Sequence, residues 1–150
     1  MEIMRTDILL VEDSEADIEL TLHALAKGDM ANKIHVVHDG EEALEYLFGF
    51  DPEGVPNDLP LLILLDLKLP KVAGLEVLRR VKADPRTRVV PVVILTSSKE
   101  ERDVMEGYEL GVNSYIQKPV EFQQFRETVR QLGKYWLLTN ETSVRTKTQS

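Results

Sequence analysis

A chain of 150 residues with 43% hydrophobic and 29% charged side chains suits one globular domain with a real core and leaves little over for a second. It contains no cysteine and carries a formal net charge of −8, which excludes disulfides and thiolate chemistry and argues against nucleic-acid binding through basic patches. No apolar run approaches the ~20 residues of a membrane helix, and no secretory leader pattern opens the sequence, so a cytoplasmic protein without membrane contact is expected.

Residues 8–11 form the first short apolar run, of the kind that suits a strand buried on both faces. Ser14 can cap a helix carrying Ile18, Leu22 and Leu25 and stopping near Gly28. A weaker run at 34–37 leads into Asp39-Gly40, where Asp39 with Glu42 resembles a capping box for a helix bearing Ala43, Leu44, Leu47 and Phe48. Residues 49–60, with three prolines and two glycines, read as one long loop. A strand at 61–65 ends at Asp66, and Leu75, Leu78 and Val81 mark a third helix. The loose basic cluster of Arg79, Arg80, Lys82, Arg86 and Arg88, interrupted by Asp84, reads as a solvated helix end.

Residues 92–95 form a fourth strand that ends at Thr96. Ser98 with Glu101 is a second capping box, opening a helix that runs to Gly111. Tyr115 and Ile116 mark the fifth strand, closed by Lys118-Pro119. Phe122, Phe125, Val129, Leu132 and Trp136 recur three and four apart on a last helix. The domain is expected to span 1–138, with 139–150 a polar, flexible tail too short to be an output domain.

Five strand-then-helix units predict a doubly wound α/β fold with a five-stranded parallel sheet. In a parallel sheet the strand ends share one edge, where open α/β sheets bind ligands at the point of reversed strand order. If the order is 2-1-3-4-5, the first and third strands are neighbours there; Glu12, Asp13 and Asp66 then converge, Thr96 sits beside Asp66, and Lys118 reaches over. Like charges ~4 Å apart repel by about 4 kcal/mol at an effective dielectric of ~20. A proton or a cation must compensate, and all-oxygen ligands favour a hard ion such as Mg²⁺. A carboxylate nucleophile, a cation, a lysine and a hydroxyl make a phosphoryl-transfer constellation.

The motifs "LLVEDS", "LLDLKLPKVAGLEVL", "VVILTSS" and "SYIQKP", each closing a strand, resemble the receiver family of two-component response regulators, with its flavodoxin-like fold. The resemblance covers residue 7 to about 135. It implies Asp66 as phosphoacceptor for a sensor histidine kinase, and Mg²⁺ held by Glu12, Asp13, Asp66 and the backbone carbonyl of Lys68. It also implies Thr96 and Lys118 as donors to the phosphoryl oxygens, Tyr115 as an aromatic switch, and a cis bond at Lys118-Pro119. The extended 49–60 loop and the Tyr135-Trp136-Leu137 ending resemble the branch that serves bacterial phytochrome kinases. That branch implies pairing through the C-terminal region. Val112 departs from the family pattern, in which a small residue follows the glycine.

Each motif also has an ordinary reading. Glu12-Asp13 could be a solvated strand end, Asp66 a turn cap, Thr96 a helix start, Lys118 a surface lysine and Tyr115 a packed aromatic. His23, His35 and His38 show no metal spacing. An enzyme working through an aspartyl phosphate would place a second aspartate where Lys68 stands, and a flavodoxin-like binder would need a first loop rich in Ser, Thr and Gly. A non-enzymatic switch is the expectation. It would act by contact with a downstream protein target or a histidine phosphotransfer protein. A homodimer is expected through Tyr135, Trp136, Leu137 and Leu138, four consecutive bulky residues that cannot all face one small core.

Overall fold

The computed structural model describes residues 8–27, 34–69, 71–106 and 111–133. Among these, strands β1 (Ile8–Val11), β2 (Ile34–Val37), β3 (Leu62–Asp66), β4 (Val92–Thr96) and β5 (Ser114–Gln117) alternate with helices. The helices are α1 (Glu15–Ala26), α2 (Gly40–Phe48), α3 (Gly74–Ala83), α4 (Lys99–Glu106) and α5 (Phe122–Gln131). The sheet is parallel throughout, as the apolar runs predict, and its order β2-β1-β3-β4-β5 is the one that brings the acidic ends of β1 and β3 together. No described helix is long and apolar enough to cross a membrane.

The three central strands are buried along their whole length, whereas β2 and β5 at the edges are only partly covered. Strand alternation splits the core into two layers. Leu10, Leu64, Leu95 and Ile116 pack with Ile18 and Leu25 of α1 and Phe125 and Val129 of α5. Val11, Leu65 and Ile94 pack on the other face with Leu47 of α2, Val77 and Leu78 of α3 and Met105 of α4. Each such side chain, fully buried, contributes roughly 1.5–3 kcal/mol.

The helix starts follow the expected caps, with one shift in geometry. Ser14 Oγ accepts from the Asp17 N–H at 3.2 Å, Asp39 Oδ1 from Glu42 at 2.8 Å, and Ser98 Oγ from Glu101 at 3.1 Å. The returning glutamates reach one residue further out than a capping box requires. Glu42 accepts from the His38 N–H at 2.9 Å and Glu101 from Ser97 at 2.7 Å. The first helix ends at Ala26, with Gly28 outside the described residues, as are 107–110 between α4 and Gly111.

Residues 49–60 are tied in place to a degree that their composition conceals. Phe50 and Pro56 form an antiparallel bridge. The Asp51 carboxylate accepts from the N–H groups of Glu53 and Val55, both at 2.9 Å. Arg86 donates to the Leu47 carbonyl at 3.0 Å and to the Asn57 carbonyl, clamping the loop to the end of α2. Lys82 donates to the carbonyls of Arg88 and Val90 and to Asn113 Oδ1, at 3.1–3.2 Å. Burial pushes its ammonium below the usual lysine range. Two members of the basic cluster are therefore structural, not a solvated helix end.

Helix α5 buries Phe125 and Val129, with Leu132 partly buried against the same layer. It closes with Leu132 as its C-cap and Gly133 at φ 76°, the left-handed residue that commonly stops a helix. The expected helix through Trp136 is thus interrupted at Gly133. Trp136, the proposed interface at 135–138 and the tail at 139–150 lie outside the described residues.

One glycine positions the sheet edge. A Cβ on Gly74 would lie 2.5 Å from the Asp66 carbonyl oxygen and 2.6 Å from the Leu67 Cα, so α3 starts against the backbone that carries Asp66. Gly74→Ala is expected to lower the unfolding free energy by about 1–3 kcal/mol, read as an earlier midpoint in urea. An unchanged midpoint would contradict this close approach.

Candidate functional site

The sheet register brings the polar strand ends together. Val11 pairs with Leu65 and Asp66 with Leu95, so Glu12 and Asp13 emerge beside Asp66 and one strand away from Thr96. One carboxylate oxygen from each of Glu12, Asp13 and Asp66 lies within 4.8 Å of the others. Glu12 is fully buried and Asp66 nearly so, at 3% exposure, while Asp13 is exposed. The cluster therefore has a dry floor and an open rim, which suits a partly hydrated cation.

Lys118 crosses from the end of β5 to meet them. Its Nζ lies 3.1 Å from Glu12 Oε1, 3.4 Å from Asp66 Oδ1 and 2.9 Å from Asp17 Oδ2. The Lys118-Pro119 bond is cis, as the resemblance implies. Burial alone would push this ammonium down, but the hydrogen bond to Asp17 and the charges of Asp66 and Glu12 hold it above the usual lysine range. Lys118 is therefore a cation at every physiological pH.

One ammonium does not neutralise this many acids. Burial, with the charge of Asp66 added, raises the Glu12 carboxyl above its ordinary value. Burial likewise raises Asp66, against the opposing effects of Lys118 and the Lys68 backbone N–H, and Asp13 adds to the rise. In both groups loss of water is the leading cause. Bound in this cluster, a divalent cation would replace the lost water and offset the repulsion.

On the opposite side of the sheet edge, Thr96 is completely buried and its hydroxyl has no hydrogen-bond partner among the described residues. Leaving such a group unpaired costs about 1–3 kcal/mol, so it is a donor without a recipient. Tyr115 lies on the same face by alternation, half-buried against the layer that also contains Val112. Val112 therefore packs there without displacing it. The guanidinium of Arg102 from α4 lies 5.5 Å from the Tyr115 ring centre. The Lys68 side chain points away to an ion pair with Glu101 at 3.8 Å, while its backbone N–H serves Asp66.

Sequence reasoning missed Asp17. The pattern Ser14-x-x-Asp17 places it in the first turn of α1, but its approach to Lys118 depends on how α1 lies against β5. It also missed Lys71, at φ 67°, whose Nζ reaches Asp39 at 3.6 Å and Glu41 at 3.8 Å. That contact ties the β3–α3 loop to the start of α2. The histidines hold no metal cluster among the described residues. His35 stacks on Tyr46 at 4.6 Å.

Comparison with known proteins fits this geometry. Residues 8–130 match the family model described as the response regulator receiver domain. The probable methanogenesis regulatory protein FilR2 of Methanothrix harundinacea is 42% identical over 87% of this chain and 83% of its own. Response regulator Rcp1 of Synechocystis is 39% identical over 88% of this chain and 89% of its own. A solved Mn²⁺-bound form of Rcp1 superposes with a TM-score of 0.65 at 40% identity, covering 88% and 94% of the two chains. The bacteriophytochrome response regulator RtBRR gives a TM-score of 0.81 at 51% identity, covering 91% and 83%. The chain belongs to the response regulator receiver family and carries that family's fold.

Proposed function

We propose that this receiver takes a phosphoryl group on Asp66 from a sensor histidine kinase, with Mg²⁺ bound at Glu12, Asp13, Asp66 and the backbone carbonyl of Lys68. The observation that carries the reading is the position of Asp66. It is a nearly buried carboxylate at a strand end, beside two further acids, with Lys118 Nζ at 3.4 Å. The exposed rim at Asp13 gives a donor access. The unpaired Thr96 hydroxyl supports the same reading, because arriving phosphoryl oxygens would supply the partner it lacks.

The chemistry balances on groups at hand. An Asp66 carboxylate oxygen attacks the phosphorus of a phosphohistidine, the new P–O bond forms as the P–N bond breaks, and the imidazole nitrogen keeps the electron pair. Lys118 donates to one phosphoryl oxygen and Thr96 to another, orienting the group and countering its charge. Bound Mg²⁺ would supply the remaining neutralisation between the carboxylates and the phosphoryl oxygens. The preference for Mg²⁺ rests on the hardness of an all-oxygen donor set with an open side.

Phosphorylation replaces the single negative charge of the Asp66 carboxylate with the roughly −1.5 to −2 of a phosphoryl group, placed beside Thr96. As Thr96 turns toward it, Tyr115 moves into the vacated space on the same face. That movement changes the surface of α4, β5 and α5, and so its affinity for a downstream protein or a histidine phosphotransfer protein. The role is that of a switch in the cytoplasm, not an enzyme acting on outside substrates. Likeness to RtBRR and Rcp1 supports a phytochrome-type kinase as the donor. A homodimer through Tyr135, Trp136, Leu137 and Leu138 follows from their bulk within a receiver spanning 1–138.

Incubation with a small phosphodonor and Mg²⁺ is expected to add one phosphoryl group, mapped to Asp66 by mass spectrometry. An Asp66→Asn variant is expected to lose it. Incorporation by that variant at the wild-type level would overturn the assignment. Light scattering tests the pairing: a dimer at tens of micromolar that weakens on combining Trp136→Ala with Leu138→Ala is expected. A strict monomer with and without phosphorylation would rule it out.

A further inference from the structure

The lysine at the end of β5 is shared among three carboxylates, and its shortest contact is to the one outside the acidic cluster. Asp17 Oδ2 lies 2.9 Å from Lys118 Nζ, against 3.1 Å for Glu12 and 3.4 Å for Asp66. Asp17 is itself fixed. It stands in the first turn of α1, its N–H held by the Ser14 cap, and its side chain is about one-third exposed, at 32%. The contact joins residues 101 positions apart, so it depends on the packing of α1 against the β5 end of the sheet.

An ammonium has three hydrogens to give. Two are engaged by Asp17 and Glu12 at hydrogen-bond distance, whereas the contact with Asp66 is the longest of the three. We propose that Asp17 is a positioning residue for Lys118, drawing its ammonium toward α1 so that the Asp66 oxygens stay available to a cation and to the incoming phosphorus. This rests on the reading of Asp66 as acceptor and adds to it a residue outside the metal set. Asp17 touches neither the cation nor the phosphoryl group; it acts through the lysine.

The three carboxylates compete for one ammonium. Without the Asp17 carboxylate, the nearest remaining partners of the ammonium are Glu12 and Asp66, both metal-binding acids. The lysine would close on Asp66, and a cation entering the cluster would have to displace it. Asp17 thus weakens an internal ion pair that would otherwise occupy the acceptor. Once a phosphoryl group is attached, its oxygens carry enough charge to draw the lysine back.

Asp17→Asn keeps the size of the side chain and removes its charge. Mg²⁺ titration of this variant is expected to show three- to tenfold weaker binding than the wild type. The loss is expected to shrink to less than half in a Lys118→Met background, where the lysine that Asp17 acts through is absent. An unchanged Mg²⁺ affinity in Asp17→Asn, or a loss of equal size with and without Lys118, would overturn the proposal. Wild-type phosphorylation mapped in parallel separates this outcome from failure of the acceptor assignment, since Mg²⁺ binding is read without any phosphoryl transfer.

Discussion

Repulsion among carboxylates at the sheet edge is the constraint around which the rest of this protein is arranged. Glu12 and Asp66 are buried, Asp13 stands at the rim, and their oxygens approach within 4.8 Å. Each such pair costs about 4 kcal/mol at ~4 Å and an effective dielectric of ~20, a large fraction of the 5–15 kcal/mol by which domains are stable. Lys118 offsets part of this, while burial, the leading cause, with neighbouring carboxylates adding to it, still raises the carboxyls of Glu12 and Asp66. A site that holds unspent repulsion is ready for a divalent cation and for a phosphoryl group that comes with one.

The scaffold makes that arrangement affordable. Parallel strands put their C-terminal ends at one edge, and the 2-1-3-4-5 order sets β1 and β3 side by side. Alternation then divides the labour between faces. Glu12, Asp66 and Lys118 continue the positions that point toward α1 and α5, while Thr96 and Tyr115 continue those facing α2, α3 and α4. The charged half of the site and its hydroxyl-and-aromatic half thus lie on opposite sides of the same edge. A change of charge on one side can be felt by side-chain packing on the other, which is what a switch requires.

Much of this was legible in the residues themselves. Continuous apolar runs at 8–11, 61–65 and 92–95 allow little but buried parallel strands, and the acids, hydroxyl and lysine that close them declare the ligand edge. What stayed hidden depends on long-range packing. Arg86 and Lys82 look like solvated charge until the carbonyls of Leu47, Asn57, Arg88 and Val90 are found at their heads. Residues 49–60 look like slack, because Asp51 organising its own loop leaves no periodic trace. Asp17 looks like an ordinary first-turn acid, since only the fold brings Lys118 to it. Gly133 was overlooked as a stop because the apolar spacing of 122–136 runs through it unbroken.

Burial sets the fold against ionised Glu12 and Asp66, and a cation in the cluster would relieve them. Because both carboxyls are raised in the folded state, the stability they contribute is fully present below their unfolded values, ordinarily about 4, and is lost as pH rises through the folded ones. The most direct measurement is thermal unfolding from pH 4 to 8, with Mg²⁺ and with chelator, for the wild type and Asp66→Asn. At pH 8 Mg²⁺ is expected to raise the wild-type midpoint by several degrees, roughly what one to three kcal/mol of binding energy delivers. That gain should shrink toward pH 4, as protons replace the cation. With chelator, Asp66→Asn should melt above the wild type at pH 8 and converge with it near pH 4. A Mg²⁺ effect of equal size at both ends, or an Asp66→Asn variant less stable than the wild type at pH 8, would contradict the account.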